Sequence, residues 1–402
     1  MASPLALVGG GLGSVRVAEF LRGNGFDAPI TIVSEEAHPP YDRPPLSKSV
    51  LAGDDDRVDL KPAGFYDDAG IELRLRTRAI GVEASSHVLT CVRDGVTSCL
   101  DYRTLVLATG LAPRPFPGDG GGLPGVHLLR TYDDAVALRA ELAPGRRAVV
   151  VGAGFIGCEA AATMSGLGVD VTVVEPAPAP MAAALGTTVG ALVGRLHKEA
   201  AVDVRTGTGV RRLVPNAAGD RVGGVELGDG TMLPADVVLV GIGGVPDLDW
   251  LDGSSIATAP VSAAGRGGIL CDDAGRTSAP DVYALGDVAN WERPQGHRHR
   301  VEHWNHTVDQ AAVVAAAIGG TPSPPPAVPY FWSDQYGLKI QLLGAPRADD
   351  DVYVIDDDGR RFLAYYARAG LLTGVVGAGR AGRVMKMRSA VSTPTPVDEV
   401  LP

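Results

Sequence analysis

Gly9, Gly11 and Ser14, with Gly13 among them, stand at the spacing G-x-G-x-x-S. The first glycine of such a pattern lets the backbone turn sharply from strand to helix. The second lets it approach a pyrophosphate, and the third position packs helix on strand, where a small residue such as Ser14 suffices. The helix N-terminus then offers N–H groups and a positive dipole end to the anion. Glu35 lies 26 residues after Gly9, near the distance expected for an acid that binds a ribose. The pattern returns complete as Gly152, Gly154 and Gly157, enclosing Phe155 and Ile156, with Glu175 23 residues after Gly152. A carboxylate there accepts from a ribose 2′-OH and repels a 2′-phosphate. Pro176-Ala-Pro-Ala-Pro180 follows, with no Arg or Lys before Arg195. The second site is therefore expected to take NADH rather than NADPH.

The elements around these glycines predict how they are held. Residues 5–22 (LALVGGGLGSVRVAEFLR) and 148–164 (AVVVGAGFIGCEAAATM) form an internal near-repeat of apolar run, glycine cluster and apolar-periodic stretch. That is strand, tight turn and helix. Each is followed by a second strand ending in acid, Ile30–Val33 before Glu35 and Val171–Val174 before Glu175. Two such βαβ units imply two parallel sheets. Three further strands end in turn residues: Thr104–Ala108 in Ala108-Thr109-Gly110, Asp236–Val240 in Gly241-Ile242-Gly243, and Val282–Leu285 in Gly286-Asp287. A helix-like segment runs from His306 to Ile318. The run Thr321 to Pro329, five prolines in nine residues, reads as a linker. Beyond it, strand-like pieces alternate before a closing basic helix.

The expected fold class is thus α/β, with two Rossmann-like dinucleotide-binding domains plus a small α+β C-terminal domain. The expected boundaries are 1–112 for the first part of the FAD-binding domain, 113–240 for the NAD-binding domain, 241–320 for the second part of the FAD-binding domain and 326–402 for the C-terminal domain. A chain of 402 residues exceeds what one hydrophobic core supports.

Composition narrows the function. A net charge of −11 argues against nucleic acid as a partner, because a phosphate-binding surface needs a basic excess. No stretch of about 18 apolar residues is available to span a bilayer, and the N-terminus lacks a signal-peptide pattern. The four cysteines, Cys91, Cys99, Cys158 and Cys271, form no CxxC or CxxxxC pair. Reduced thiols in a cytoplasmic compartment are expected. His297, His299, His303 and His306 match no standard metal spacing, and no metal site is expected.

Tyr41-Asp-Arg-Pro-Pro-Leu-Ser-Lys48, Ala108-Thr-Gly110, Gly152-Ala-Gly-Phe-Ile-Gly-Cys-Glu159, Gly241-Ile-Gly243, Tyr283-Ala-Leu-Gly-Asp287 and Trp332-Ser-Asp-Gln335 occur in that order. In this the chain resembles the FAD-dependent NADH:ferredoxin reductases, the glutathione-reductase-like group that includes putidaredoxin reductase and the reductase components of biphenyl-type dioxygenases. The likeness spans residues 5 to about 390. It implies FAD at the first fold and NAD at the second. It implies that Arg43 neutralises pyrophosphate charge and that Lys48 sits near the flavin ring, paired with Glu159. Asp287 would accept from the ribityl chain, the helix near His303 and Trp304 would point its positive end at the flavin, and Trp332 would pack by the flavin or nicotinamide ring. Lys48, Glu159 and Trp332 are the expected catalytic residues.

Disulfide reductases of similar fold carry a cysteine pair beside the flavin, but here Pro40 to Ser49 holds no cysteine. The resemblance therefore implies hydride transfer from NADH to FAD, then single electrons to a [2Fe–2S] ferredoxin that serves a Rieske oxygenase or a cytochrome P450. Two basic clusters, Arg380, Arg383, Lys386 and Arg388, and Arg293, Arg298 and Arg300, are candidate docking surfaces for an acidic ferredoxin. Alternatives are a rubredoxin reductase, an NADH oxidase, or an NADH-sensing flavoprotein of the apoptosis-inducing-factor type.

Overall fold

A computed structural model describes residues 4–262, 265–292 and 298–402. They form two compact units. One comprises the chain through Asp42, Val58–Ala112 and Gly244–Ala327; the other comprises Arg43–Arg57, Pro113–Gly243 and Val328–Pro402.

The first unit is built on a five-stranded parallel sheet in the order Val282–Ala284, Thr104–Leu107, Leu5–Val8, Ile30–Val33, Ile71–Arg74. Its inner strands are short continuous runs of apolar residues, LALV, ITIV and TLVL, and they are buried along almost their whole length. Such runs suit a sheet covered on both faces. Helix Leu12–Gly23 packs along helix Trp304–Gly319. A three-stranded antiparallel sheet, Arg78–Glu83, Val88–Arg93 and Val96–Asp101, and a second small sheet through Gly265–Cys271 complete the unit.

The second unit repeats the plan. Its parallel sheet runs Val126–His127, Val237–Val240, Arg147–Val151, Asp170–Glu175, Asp203–Thr206. In both sheets the strand before the glycine turn is central, with the later strand on one side and the acid-bearing strand on the other. The C-terminal residues add a five-stranded antiparallel sheet in the order Tyr330–Gln335, Leu338–Gly344, Leu371–Ala378, Phe362–Arg368, Asp351–Asp357. The expected closing helix is two short ones, Ala381–Lys386 and Arg388–Ser392.

The units divide the chain differently from the expected boundaries in two respects. Arg43–Arg57 groups with the second unit instead of with residues 1–112. The reason is packing: Leu51 is fully buried in the same core cluster as Leu138, Arg139 donates to Val50 O at 3.1 Å, and Thr163 Oγ1 donates to Ser47 O at 2.8 Å. The C-terminal sheet likewise shares that core through Phe362, Tyr366 and Val376, and Tyr366 Oη donates to Leu185 O at 2.8 Å. It groups with residues 113–243 in one compact unit.

Candidate active site

Both glycine turns are constructed alike. Gly9 sits at φ +116° and Gly152 at φ +101°. A Cβ on Gly9 would lie 2.3 Å from the carbonyl oxygen of Ala108, and one on Gly152 would lie 2.5 Å from that of Gly241. The left-handed φ and the backbone contact together admit only glycine. The hydrogen bonds repeat as well. Gly9 N–H donates to Val33 O at 2.9 Å and Gly152 N–H to Val174 O at 2.8 Å; Ala108 N–H donates to Val8 O and Gly241 N–H to Val151 O, both at 2.8 Å. Ala108-Thr109-Gly110 and Gly241-Ile242-Gly243 therefore occupy equivalent places, at the strand end beside each turn, where an open α/β sheet binds its ligands.

The second glycines face space instead of backbone. A Cβ on Gly11 or on Gly154 would meet no heavy atom within 4 Å. Helices Leu12–Gly23 and Phe155–Gly166 begin there without a side-chain cap and without an acidic residue in the first turn. Their first N–H groups have no partner within the helix. Uncapped donors opening on empty space fit a pyrophosphate, so the residues present suit a dinucleotide in each fold. At the third position a Cβ on Gly157 would lie 2.1 Å from Gly152 O, whereas Ser14 fills the corresponding place fully buried.

In the first unit, the expected residues converge around the glycine turn. A Cβ on Gly13 would meet Leu285 Cδ1 at 3.0 Å, Ala108 Cβ at 3.2 Å and Thr307 Cγ2 at 3.4 Å. Gly286 takes φ +74°, and its N–H donates to the buried Gln310 Oε1 at 2.7 Å. Helix Trp304–Gly319, with His303 at its N-cap, thus holds the turn that carries Asp287. Trp304 Nε1 donates to Asp42 Oδ1 at 2.7 Å. The two acids after strand Ile30–Val33 part company: Glu35 is 69% exposed and lies 3.8 Å from Arg78 Nε, while Glu36 is half-buried and accepts from the Tyr41 hydroxyl.

In the second unit, one carboxylate gathers three sequence motifs. Glu159 is only 4% exposed. Its Oε2 accepts from Lys48 Nζ and from Ser47 Oγ, both at 2.6 Å, and its Oε1 accepts from Ser333 Oγ at 2.7 Å. Lys48 Nζ also donates to Pro44 O at 3.0 Å. Removing such a carboxylate from water costs several kcal/mol, an expense that three donors offset. Glu175, in turn, braces the glycine loop: its Oε2 accepts from Ala153 N–H at 2.7 Å and its Oε1 from Ala177 N–H at 2.9 Å. Phe155 packs on Phe331 with ring centroids 4.1 Å apart, and Ile156 is exposed. Arg43 donates to Arg130 O at 2.5 Å.

Trp332 stacks with Tyr330 at 6.2 Å and lies under Lys339, on the face of its strand opposite Ser333. Ser47, Ser333 and Gln335 were not among the expected site residues. The alternation of strand Tyr330–Gln335 was the available signal: it places two polar residues, Ser333 and Gln335, on the face away from Trp332, and both are buried.

The cysteines carry no redox pair. Cys91, Cys158 and Cys271 are buried and Cys99 is exposed, all as free thiols. Burial pushes the Cys158 thiol up, and it donates to Ala153 O at 3.4 Å. The basic clusters need correction. Arg300 is 3% exposed; it donates to Asp287 O and Arg266 O and pairs with Glu302, so it supports the Asp287 turn from inside. Arg298 pairs with Glu292 at 2.8 Å. Arg380 pairs with Asp356 at 2.9 Å and Asp358 at 3.0 Å, and Arg383 pairs with Asp356. Only Lys386 and Arg388 of that cluster are exposed without an ion pair among the described residues. Arg293 and His297 lie outside the described residues, as does the side chain of His299. Among the described residues no helix is long and apolar enough to cross a membrane.

Comparison with known proteins accords with this architecture. The family model described as pyridine nucleotide-disulphide oxidoreductase matches residues 3–311, and the one described as reductase C-terminal matches residues 330–401. The chain is 37% identical over 400 residues to the 5,5′-dehydrodivanillate O-demethylase ferredoxin reductase subunit of Sphingobium sp., covering 98% of this chain and 94% of that one. It is 36% identical over 405 residues to the anthranilate 1,2-dioxygenase system ferredoxin–NAD(+) reductase component of Burkholderia cepacia, covering 98% and 96%. The putidaredoxin reductase–putidaredoxin complex superposes with a TM-score of 0.92 at 30% identity, covering 100% of this chain and 96% of that one. Two nucleotide folds of one design, a buried Glu–Lys pair and a C-terminal antiparallel sheet thus place the chain in the pyridine nucleotide-disulphide oxidoreductase family, as an oxidoreductase with a reductase C-terminal domain.

Proposed function

We propose that the protein is an NADH-dependent ferredoxin reductase holding FAD at Gly9–Ser14 and NADH at Gly152–Gly157, with an oxygenase system as the destination of its electrons. Bound FAD supplies the conversion of a two-electron hydride into single electrons for an external [2Fe–2S] ferredoxin. The observation that carries the reading is the pair of open glycine cradles, one at the same place in each of two sheets whose central strands follow the same order. The relatives' names supply the acceptor: those proteins are ferredoxin reductases of a demethylase and a dioxygenase system.

The chain's residues divide the work. The uncapped N–H groups after Gly11 and Gly154 would bind the two pyrophosphates, with Arg43 adding positive charge. Ala108, Thr109, Gly110, Gly286 and Asp287 would line the flavin side of the first fold, under the N-terminus of the helix at His303 and Trp304. Glu36, the more buried of the two acids, suits the first ribose better than Glu35. Glu175 would bind the second ribose while bracing Ala153, which favours NADH over NADPH. Gly241, Ile242, Gly243, Phe155 and Ile156 would flank the nicotinamide half. Lys48, held by Glu159, would keep a fixed positive charge at the reacting end of the flavin, and Trp332 would shield the ring. Hydride transfer needs alignment and fixed charge and no general base. The buried or unpaired thiols support an electron path that leaves the protein without a disulfide step.

The decisive experiment is NADH-dependent cytochrome c reduction with and without an added [2Fe–2S] ferredoxin. At least a tenfold dependence on the ferredoxin is expected. Equal NADH consumption without it, matched by oxygen uptake, would instead make the protein an NADH oxidase.

A further inference from the structure

Glu159 accepts from Ser333, which itself accepts from Gln335, and we infer that these buried bonds make Ser333, from the C-terminal sheet, a positioning residue for Lys48. The inference deepens the function proposed above and rests on its placement of Lys48 beside the flavin.

Next to Gln335 in sequence, the Tyr336 hydroxyl lies 2.7 Å from Nδ1 of the fully buried His197. Burial pushes the imidazole down to about 4 and the phenol up, so the ring is neutral and the hydroxyl is the donor. The ring proton is then on Nε2. His197 Nε2 and Gln335 Oε1 are buried without a hydrogen bond of their own. Gln335 Nε2 donates to Ser333 Oγ at 3.0 Å. A serine hydroxyl has one proton. With the Gln335 amide donating to it, that proton goes to Glu159 Oε1, at 2.7 Å.

The consequence falls on Lys48. Ser333 pins one carboxylate oxygen, so the other is aimed at Ser47 Oγ and Lys48 Nζ. Without Ser333 the carboxylate is free to turn about its last torsion, and Lys48 keeps only Pro44 O at 3.0 Å and Ser47 Oγ at 3.4 Å as firm alternatives. Ser333, Gln335 and Glu159 are 0%, 2% and 4% exposed, so water does not replace a missing donor.

The test uses full-length holoenzymes carrying Ser333→Ala, Ser333→Thr and Gln335→Met. Competitive acetylation of Lys48, read by mass spectrometry, reports how tightly its ammonium is held, independently of turnover. Ser333→Ala is expected to raise Lys48 labelling about tenfold and lower kcat with NADH about tenfold, with KM for NADH changed less than twofold. Ser333→Thr keeps the hydroxyl and should restore both to within twofold. Gln335→Met leaves Ser333 in place but frees its proton and should give an intermediate result, which keeps the test informative if Ser333→Ala folds poorly. Unchanged Lys48 labelling in both Ser333→Ala and Gln335→Met would overturn the inference. Raised labelling with unchanged kcat would support the positioning by Ser333 and overturn the role given to Lys48 in the proposed function.

Discussion

The contrast between the first and second glycine of each cradle makes a four-variant experiment. Gly9→Ala places a methyl at φ +116° and 2.3 Å from a backbone oxygen, and Gly152→Ala does so at φ +101° and 2.5 Å. A disallowed φ costs of order 1–3 kcal/mol, and forced overpacking adds about 1–3 kcal/mol. At roughly 2–4 °C per kcal/mol for a unit of this size, Tm should fall by about 4–24 °C. Gly11 and Gly154 instead have extended backbones, at φ −124° and −72°, and open space around the added methyl. Their alanine variants should keep stability to within about 0.5 kcal/mol of the parent. The methyl now stands where a pyrophosphate must approach the helix. A binding penalty of about 1–3 kcal/mol corresponds to roughly 5–150-fold weaker affinity. Gly11→Ala should therefore emerge with depleted flavin, seen as a lower ratio of flavin to protein absorbance. Gly154→Ala should keep its flavin and raise KM for NADH about tenfold. Thermal denaturation, flavin content and steady-state kinetics on the four proteins complete the assay. Full flavin occupancy in Gly11→Ala together with an unchanged KM in Gly154→Ala would refute the assignment of these spaces to pyrophosphates.

Three more outcomes are expected. His197 titrates near 6.5 when unfolded but is pushed down to about 4 in the fold, so the unfolded chain binds more protons between these values. Its stabilising contribution is full above pH 6.5 and is lost as pH falls toward 4, by about 3 kcal/mol in all; His197→Gln should flatten Tm against pH in that window, and an unchanged slope would count against the assignment. Glu175→Gln leaves only one oxygen for two backbone donors and removes the negative charge, so kcat/KM for NADH should drop about tenfold while that for NADPH does not, a comparison made by steady-state kinetics with both nucleotides. Charge reversal at Lys386 and Arg388 should raise KM for ferredoxin several-fold at low ionic strength and fade at high salt. Arg383→Glu, which sets an acid beside Asp356, should lower Tm instead.

The glycine turns, the sheets and the strand ends were legible in the sequence because each depends on short stretches of chain: a φ value, an apolar run, a turn residue. Glu159 and Lys48 could be paired only through resemblance, since 111 residues separate them. Ser333 was hidden for the same reason, although strand alternation already set it opposite Trp332. Charge was read least well. Arg300 looked like part of a surface cluster, yet its loop folds inward to hold backbone carbonyls at Asp287 and Arg266. Arg380 and Arg383 are neutralised by acids from the hairpin end at Asp356–Asp358, a pairing that only the tertiary fold creates. That Glu35 lies against Arg78 is again a long-range matter.

Six stretches of chain alternate between the two units, and this has a consequence for synthesis. The first unit needs strand Val282–Ala284 and helix Trp304–Gly319 to close its sheet, and the second needs Val328–Pro402. Neither is finished when its glycine turn has been made. Lys48, Glu159 and Ser333 emerge in that order. At about 5–20 residues per second, the carboxylate waits on the order of ten seconds or more for its third donor. A nascent chain thus has its two glycine turns long before Ser333 joins the carboxylate of Glu159.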